Sequence, residues 1–181
     1  MNSAMTRMTE QLLATALLVL ALVPASLAQS ECPEYHKFNC DRASDSRFSV
    51  NGQSRSAAVK VGEETELNII VYRSQDYRIS VCHDEKILGE ALAIRLVEKV
   101  RVPKEGGDPS KKEFVEVEKV LWDNTEHDML QEIEFSCTAT KRIAVEVNAP
   151  GAAERKGRHA DEDIGCVGIL IEHMPTPGLG F

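Results

Sequence analysis

One short loop carries several oxygen-bearing side chains. It runs from Asp123 to Asp128 and also contains Asn124 and Glu126. Carboxylate and amide oxygens are the ligands that Ca²⁺ prefers, and Ca²⁺ takes about six to eight of them in flexible geometry. The spacing differs from the Asp-x-Asp-x-Asp-Gly pattern of the common calcium-binding loop, and Asp and Asn also hydrogen-bond to the backbone of turns. We expect turn chemistry here, and a Ca²⁺ site formed by Asp123, Asn124, Glu126 and Asp128 is the alternative hypothesis.

A second set of polar residues can act together only if the fold gathers them. His83 and Asp84 follow a predicted strand, and Asp123 and His127 belong to the acidic loop. An imidazole beside a carboxylate can move protons or help to hold a metal ion. The sequence contains no Gly-x-Ser-x-Gly, His-Glu-x-x-His or phosphate-binding loop pattern. A small metal-assisted hydrolase is therefore an alternative, while the sequence favours a protein without catalytic residues.

The N-terminal residues have the order of a secretory signal peptide. Arg7 precedes an uncharged apolar run from Leu12 to Val23, and Ser26 and Ala28 supply small residues before the predicted cleavage point. The run is about half of the ~20 residues that a membrane-spanning helix needs, which makes an uncleaved anchor the weaker alternative. We predict that residues 1–28 are removed and that the protein is periplasmic or secreted, without stable membrane insertion.

Export changes how the five cysteines are interpreted, because disulfides form in oxidising compartments. An odd number leaves at least one thiol outside an intrachain bond. Cys82 and Cys166 fall on the faces of their predicted strands opposite the apolar residues, whereas Cys137 shares a face with apolar neighbours. We predict a Cys82–Cys166 disulfide, a local Cys32–Cys40 disulfide and a buried free thiol at Cys137. About fifteen arrangements of two bonds among the cysteines remain open.

Short segments with alternating apolar and polar residues fill the chain after residue 46. A period of two is typical of strands with one buried and one solvated face. Thr65–Arg73 and Tyr77–Val81 flank a polar link and predict a hairpin. The segment from Phe114 to Trp122 shifts its alternation near Lys119, which predicts a β-bulge, and both aromatic residues are predicted to lie in the core.

These segments define the fold class and the organisation of the chain. About eight or nine of them, none with a sustained helical period, predict an all-β antiparallel sandwich or jelly roll. The predicted parts are a lead-in segment with two cysteines at residues 29–45, a β-sandwich domain at 46–174 and a Pro/Gly tail at 175–181.

The composition excludes two classes of partner. Acidic residues outnumber Lys and Arg by 29 to 21, which gives a formal net charge of −8 over 181 residues. Nucleic-acid binders need a basic face, and adhesion to an anionic membrane needs basic patches. We expect no nucleic-acid partner and no cofactor apart from the Ca²⁺ alternative.

Four segments resemble small exported bacterial proteins of unassigned function. They are VYRSQDYRISVCHDE, LWDN, KRIAVEVNAPG and GCVGILIEHMPTPGLGF, and the resemblance covers residues 46–181. The shared pattern is a Tyr-rich hairpin, an aromatic-Asp-Asn step and a Gly-Cys-Val final strand. The chain is also distantly similar to the β-sandwich pre-peptidase C-terminal domains of secreted proteases. The resemblance implies an exported, non-catalytic β-sandwich.

The predicted function combines the signal peptide, the strand-only pattern and the missing catalytic motifs. Together they predict a protein that binds or scaffolds a protein or glycan of the cell envelope or the extracellular space. A Ca²⁺-stabilised carbohydrate-binding module, which would use the Asp123–Asp128 loop, is the alternative in a different class.

Overall fold

The structure is a computed structural model that describes residues 32–104, 113–152 and 163–178. These residues form nine strands, two short helices and one 3₁₀ turn. The helices are α1 (Tyr35–Asn39) and α2 (Glu85–Leu88), and the 3₁₀ turn is Asn124–Glu126. The strands are β1 (Ser49–Val50), β2 (Arg55–Lys60), β3 (Glu64–Val71), β4 (Gln75–His83), β5 (Ala93–Pro103), β6 (Phe114–Asp123), β7 (Glu132–Cys137), β8 (Lys141–Asn148) and β9 (Ile164–Pro175).

The predicted signal peptide, residues 1–28, lies outside the described residues. Within the described part of the chain, no helix has the length and hydropathy needed to cross a membrane.

The strands form two antiparallel sheets that face each other. Sheet A has the order β1–β9–β4–β7, with β2 also paired to β9, and sheet B has the order β3–β8–β5–β6. Every second residue of the central strands points into the space between the sheets. The predicted all-β antiparallel sandwich is therefore confirmed. Its core includes Ile69, Tyr77, Ile79, Ile94, Val145 and Ile171.

Strands β3 and β4 do not form the predicted hairpin. β3 pairs with β8 in sheet B, whereas β4 lies between β7 and β9 in sheet A. The link between them crosses from one sheet to the other. Ser74 has a φ of 62° there, and the N–H of Tyr72 donates to the Tyr77 hydroxyl at 2.9 Å. The prediction was wrong because alternation does not distinguish the two arrangements. Two successive strands each have one apolar face both when they pair in one sheet and when they lie in opposite sheets across the core.

The predicted bulge in β6 is present, two residues from the predicted place. Leu96 pairs with Trp122 and Val97 pairs with Val120, so Leu121 is the additional residue. The additional residue shifts the alternation by one position. Even-numbered residues before and after the bulge therefore point to opposite faces of the strand. Trp122 consequently packs against the core, whereas Phe114 is 56% exposed, and its predicted core position is wrong.

Two disulfides fasten the N-terminal strap, residues 32–43, to the outer face of sheet A. Cys32 bonds to Cys166 of β9, and Cys40 bonds to Cys82 of β4. The predicted pairs Cys82–Cys166 and Cys32–Cys40 are therefore wrong, although the outward direction predicted for Cys82 and Cys166 is the direction found. Cys137 is buried and carries no disulfide.

The register of sheet A explains why the predicted pairs do not form. Cys82 lies directly opposite Gly168 on β9, so Cys166 is its diagonal neighbour, two residues along the strand. Diagonal neighbours are about 7–8 Å apart, whereas disulfides mostly span Cα distances of about 5.5–6 Å. The two observed bonds have Cα distances of 5.3 and 5.0 Å. The strap supplies a nearer cysteine to each strand.

A glycine lets the strap approach the sheet closely. A Cβ atom on Gly168 would lie 2.7 Å from the Cα of His36 and 2.7 Å from the sulfur of Cys82. The backbone of α1 therefore occupies the space that a side chain would need on this part of β9. His36 is also held from the side, since its backbone N–H donates to the Ser56 hydroxyl of β2 at 2.9 Å.

Candidate binding surface on the β5–β6 hairpin

Strands β5 and β6 extend beyond the rest of sheet B. The pairing of β5 with β8 covers Ala93 to Val97, while its pairing with β6 continues as far as Pro103 opposite Phe114. We name this two-stranded extension the ribbon and define it as residues 98–103 and 114–119. Two-stranded sheets have little independent stability in water, so the ribbon depends on the sheet from which it projects.

The two faces of the ribbon differ in chemistry. On one face, Glu98 pairs with Lys119 next to the sandwich, and Val100 pairs with Val117 and Val102 with Val115 beyond it. This face continues the side of β5 that carries the buried Leu96. On the other face, Lys99 pairs with Glu118, Arg101 with Glu116 and Pro103 with Phe114. Val115 and Val117 are 38% and 39% exposed. The pattern that buries a strand inside the sandwich thus leaves apolar residues in contact with solvent outside it.

Strand β6 is also an edge strand. It lies at the end of sheet B, and within the described ranges only β5 pairs with it. The opposite edge of sheet B is protected, because the side-chain amide of Gln53 accepts from the N–H of Ile70 at 2.8 Å and donates to its carbonyl at 3.0 Å. Natural proteins usually shield long apolar edges in this way or with charges. β6 has ten residues and carries the charged side chains Glu116, Glu118 and Lys119. Among the described residues no side chain hydrogen-bonds to its backbone as Gln53 does to Ile70.

A small apolar pocket lies at the base of the ribbon. Its volume is about 200 Å³, and it is lined from both sheets by residues that include Leu96, Trp122, Phe135 and Cys137. Lys141, another lining residue, pairs with Glu98 at 3.0 Å. The thiol of Cys137 donates to the carbonyl of Ala139 at 3.0 Å. The pocket continues the apolar face of the ribbon towards the core.

The outer face of sheet B is polar beside the ribbon. A groove of about 360 Å³ is lined by charged and polar side chains, among them Glu66, Lys99 and Arg142. Lys99 donates to Glu66 at 2.5 Å and lies 3.8 Å from Glu118. The hydrogen bond from Lys99 lowers the pKa of Glu66 and raises the pKa of Lys99. The charged side chains of this groove therefore pair mostly with one another.

The predicted calcium ligands form a capped turn. The Asp123 carboxylate accepts from the N–H of Thr125 at 2.9 Å and from its hydroxyl at 2.7 Å, which lowers the pKa of Asp123. Asn124 is fully buried, whereas Glu126 and Asp128 are exposed. Among the described residues, no three His, Cys, Asp or Glu side chains are arranged to hold a metal ion.

The four residues of the hydrolase hypothesis serve local structure. The His83 ring donates to the carbonyl of Gly89 at 2.8 Å, and Asp84 accepts from the backbone N–H of Lys86 at the start of α2. His127 stacks on Trp122 with ring centres 5.8 Å apart. Asp123 caps the 3₁₀ turn. In the described part of the chain, no hydrogen bond or ion pair joins any two of His83, Asp84, Asp123 and His127.

The sequence does not predict the ribbon, because its pattern places both Phe114 and Trp122 in the core. The Val and Glu residues of β6 alternate as they would in a strand with one buried face. The signal that could have identified it is the length of β5 and β6, since both continue past the point where another strand can cover them. No family model matches the chain, and no curated protein matches it, so the resemblance to exported bacterial proteins stays a prediction.

Proposed function

We propose that this protein is an exported, non-catalytic binding module that engages a protein of the cell envelope or the extracellular space through β6. The observation that carries the proposal is the long edge strand, which combines unpaired backbone with exposed valines. An exposed sheet edge is a ready template for another strand. Contiguous exposed apolar surface also marks interaction sites on soluble proteins.

Export is supported by the cysteines and by the sequence of residues 1–28. Disulfides persist in oxidising compartments and are rare in reducing ones. The two bonds connect the strap to strands that are distant in sequence, with separations of 134 and 42 residues. The predicted cleavage after Ala28 would leave Cys32 close to the new N-terminus, where its bond to β9 anchors that end.

Binding is favoured over catalysis by the use of the polar side chains. The histidines and acids of the hydrolase hypothesis cap turns, hydrogen-bond to backbone or stack on a ring. The ribbon, in contrast, leaves Val115 and Val117 exposed and its edge without a neighbouring strand in the described residues. A surface of this kind is suited to recognition of a protein segment.

Site-directed photocrosslinking tests the proposal. A photoreactive benzoylphenylalanine replaces Phe114 on β6 in one variant and Tyr72 in a matched control variant. Phe114 is 56% exposed and Tyr72 is 52% exposed, so the two probes differ in position rather than in accessibility. The exported protein is irradiated in envelope and culture fractions of the source organism, and adducts are identified by mass spectrometry. We expect a defined adduct from the position of Phe114 that is absent at Tyr72. Equal adducts at both positions, or none at Phe114, would overturn the proposal.

A further inference from the structure

We propose that the partner adds one extended strand to the outer edge of β6, and that this strand alternates Lys or Arg on one face with apolar residues on the other. This inference rests on the proposed function and names the chemistry of the segment that β6 binds. It follows from the backbone of β6, the charges beside it and the valines on its other face.

The backbone of β6 calls for a strand rather than a helix or a loop. The inner edge of β6 is paired with β5 from Asp123 to Phe114. Along its outer edge the remaining N–H and C=O groups point away from the sheet, and an added strand would supply partners to them. A third strand would also convert the ribbon into a three-stranded sheet, which is the smallest arrangement that is commonly stable.

The acidic side chains on one face of β6 favour a partner strand with positively charged side chains. Glu116 and Glu118 point to this face, beside Phe114. Glu116 has no ion pair within 4 Å among the described residues, and Glu118 lies 3.8 Å from a lysine that is nearer to Glu66. A strand added to β6 places its own side chains directly beside these two acids. Basic residues there would be stabilised by the pairing, and acidic residues would be repelled.

A second copy of this chain fits the same edge poorly. If two β6 strands paired antiparallel, Glu116 and Glu118 of both copies would share one face of the joined sheet. Like charges that meet across neighbouring strands are destabilising. The charge pattern therefore favours a different, basic segment.

The opposite face of β6 selects apolar residues. Val115 and Val117 are the outermost apolar side chains of the ribbon, and neighbouring strands on the same face contact one another. The same combination already occurs on the inner side of β6, where Lys99, Val100, Arg101 and Val102 of β5 pair with it. A partner segment with this alternation would repeat on the outer edge what β5 does on the inner one.

A pair of synthetic peptides tests the inference on the full exported protein. The probe alternates valine with Lys and Arg over eight residues, and the control peptide has the same composition with the alternation destroyed. Backbone amide signals are followed by NMR during titration, and amide hydrogen exchange is measured with the peptide in excess. We expect the probe to shift and protect the amides of β6 and the control to leave them unchanged. If the probe leaves the β6 amides unchanged, or if both peptides act equally, the inference is wrong.

A charge-reversed variant adds a result that an adventitious apolar contact would not give. In Glu116→Lys/Glu118→Lys, affinity for the basic probe should fall about tenfold, the effect of two cross-strand charge pairs. Affinity for a probe with Glu in place of Lys and Arg should rise by a similar factor. The control variant Glu85→Lys/Glu90→Lys makes the same change of net charge at exposed sites in and after α2 and should bind as the unmodified protein does. Equal effects in both variants would show a general charge effect and overturn the inference.

The outcomes separate this inference from the proposed function. If the Phe114 crosslink forms but the basic probe does not bind β6, the partner chemistry is wrong and the function stands. If the crosslink is absent, the proposed function fails whatever the peptides do. A stable dimer in light scattering, with β6 amides protected in the absence of peptide, would show that a second copy occupies the edge and would overturn the inference.

Discussion

Arg78 and Glu172 form a buried ion pair on the outer face of sheet A, with Nη1 2.9 Å from Oε2. They lie directly opposite each other on β4 and β9, and both residues are at most 5% exposed. The strap covers them and takes part in the cluster. Arg42 donates to Glu172 at 2.6 Å, the N–H of Ala43 donates to it at 2.8 Å, and Arg78 donates to the carbonyl of Asp41 at 2.9 Å.

The cluster makes the ionised form of Glu172 the stable one. Burial alone would raise the pKa of Glu172, but the hydrogen bonds from Arg42, Ala43 and Arg78 outweigh burial, and the pKa is lowered. A carboxyl group with a lower pKa in the folded state than in the unfolded state stabilises the fold at pH values above its unfolded pKa. This contribution is lost as the pH falls through the folded-state pKa.

We predict that Glu172→Gln is strongly destabilising at neutral pH. The substitution removes the buried carboxylate that Arg42 and Arg78 share. Arg78 keeps an ion pair with the exposed Glu132, so the cost should lie below the value of about 3–5 kcal/mol found when a buried charge loses its partner completely. At about 2–4 °C per kcal/mol for a domain of this size, the melting temperature should therefore fall by several degrees and by less than about 20 °C. Thermal unfolding at pH 7 and at acidic pH measures the effect, and the difference between variant and parent should shrink as the pH falls below about 4. An equal difference at every pH would show that the ionised carboxylate of Glu172 does not stabilise the fold.

We predict the opposite result for the buried glutamate of sheet B. Glu146 is 2% exposed and lies opposite Arg95, which is 2.7 Å from its carboxylate. Burial raises the pKa of Glu146, and the charge of Arg95 offsets this only partly. Because the folded-state pKa is the higher one, the stability associated with the protonated form is present at low pH and is lost as the pH rises through that pKa.

Glu146→Gln is therefore the variant to compare with Glu172→Gln. The amide can still accept from Arg95 without carrying a buried charge, and Arg95 is partly exposed and also pairs with Glu64 at 3.2 Å, so no unpaired buried charge is left. We expect an unchanged melting temperature or a rise of a few degrees at pH 7, and no gain at acidic pH. A loss at pH 7 as large as that of Glu172→Gln would show that the Arg95 pair stabilises the fold.

The sequence predicts the orientation of side chains better than the partners of strands. Alternation correctly placed Tyr77 and Ile79 in the core and directed Cys82 and Cys166 away from it, since parity is a local property of an extended chain. The pairing of those cysteines depends on the strap, which has no period of its own and folds back onto the sheet. Nothing local to Cys32 or Cys40 specifies which strand each one meets.

The candidate surface could not be predicted for the same reason, since alternation does not show which strands lie next to each other. The Val and Glu alternation of β6 is identical for a strand that faces a second sheet and for one that projects past it. Only the register of β5, which ends its pairing with β8 at Val97, shows where the cover stops. The bulge at Leu121 then reverses the parity on which the position of Phe114 was predicted.

We predict that both disulfides are needed for full stability and that the Cys32–Cys166 bond contributes more. In the chain-entropy description a closed loop of 134 residues is worth about 5 kcal/mol and one of 42 residues about 4 kcal/mol. The double variants Cys32→Ser/Cys166→Ser and Cys40→Ser/Cys82→Ser should both unfold at lower denaturant concentration, the first more than the second. Peptide mapping without reduction should link Cys32 to Cys166 in the parent, and a fragment linking Cys82 to Cys166 would contradict the structure.

We predict that the loop from Asp123 to Asp128 acts as a structural turn held by Asn124. The Asn124 amide accepts from the N–H of Ile94 at 2.8 Å and donates to the carbonyls of Leu92 at 2.8 Å and Leu130 at 3.1 Å. Asn124→Ala would leave the buried N–H of Ile94 without this partner, whereas the carbonyl of Leu92 keeps a hydrogen bond from Gln131 at 3.0 Å. The substitution should cost about 1–3 kcal/mol. Asn124→Asp should also destabilise, because a carboxylate cannot donate to the two carbonyls.

The response to Ca²⁺ separates this interpretation from the calcium hypothesis. If the turn is purely structural, millimolar Ca²⁺ will leave the melting temperature of metal-stripped protein unchanged, and Asn124→Asp will stay destabilised. If the loop binds Ca²⁺, excess ion at a hundred times its Kd would add about 2.7 kcal/mol of stability. The extra carboxylate of Asn124→Asp would then enlarge the shift, because Ca²⁺ affinity rises with the number of charged ligands. A shift that grows in this variant would identify the loop as a calcium site.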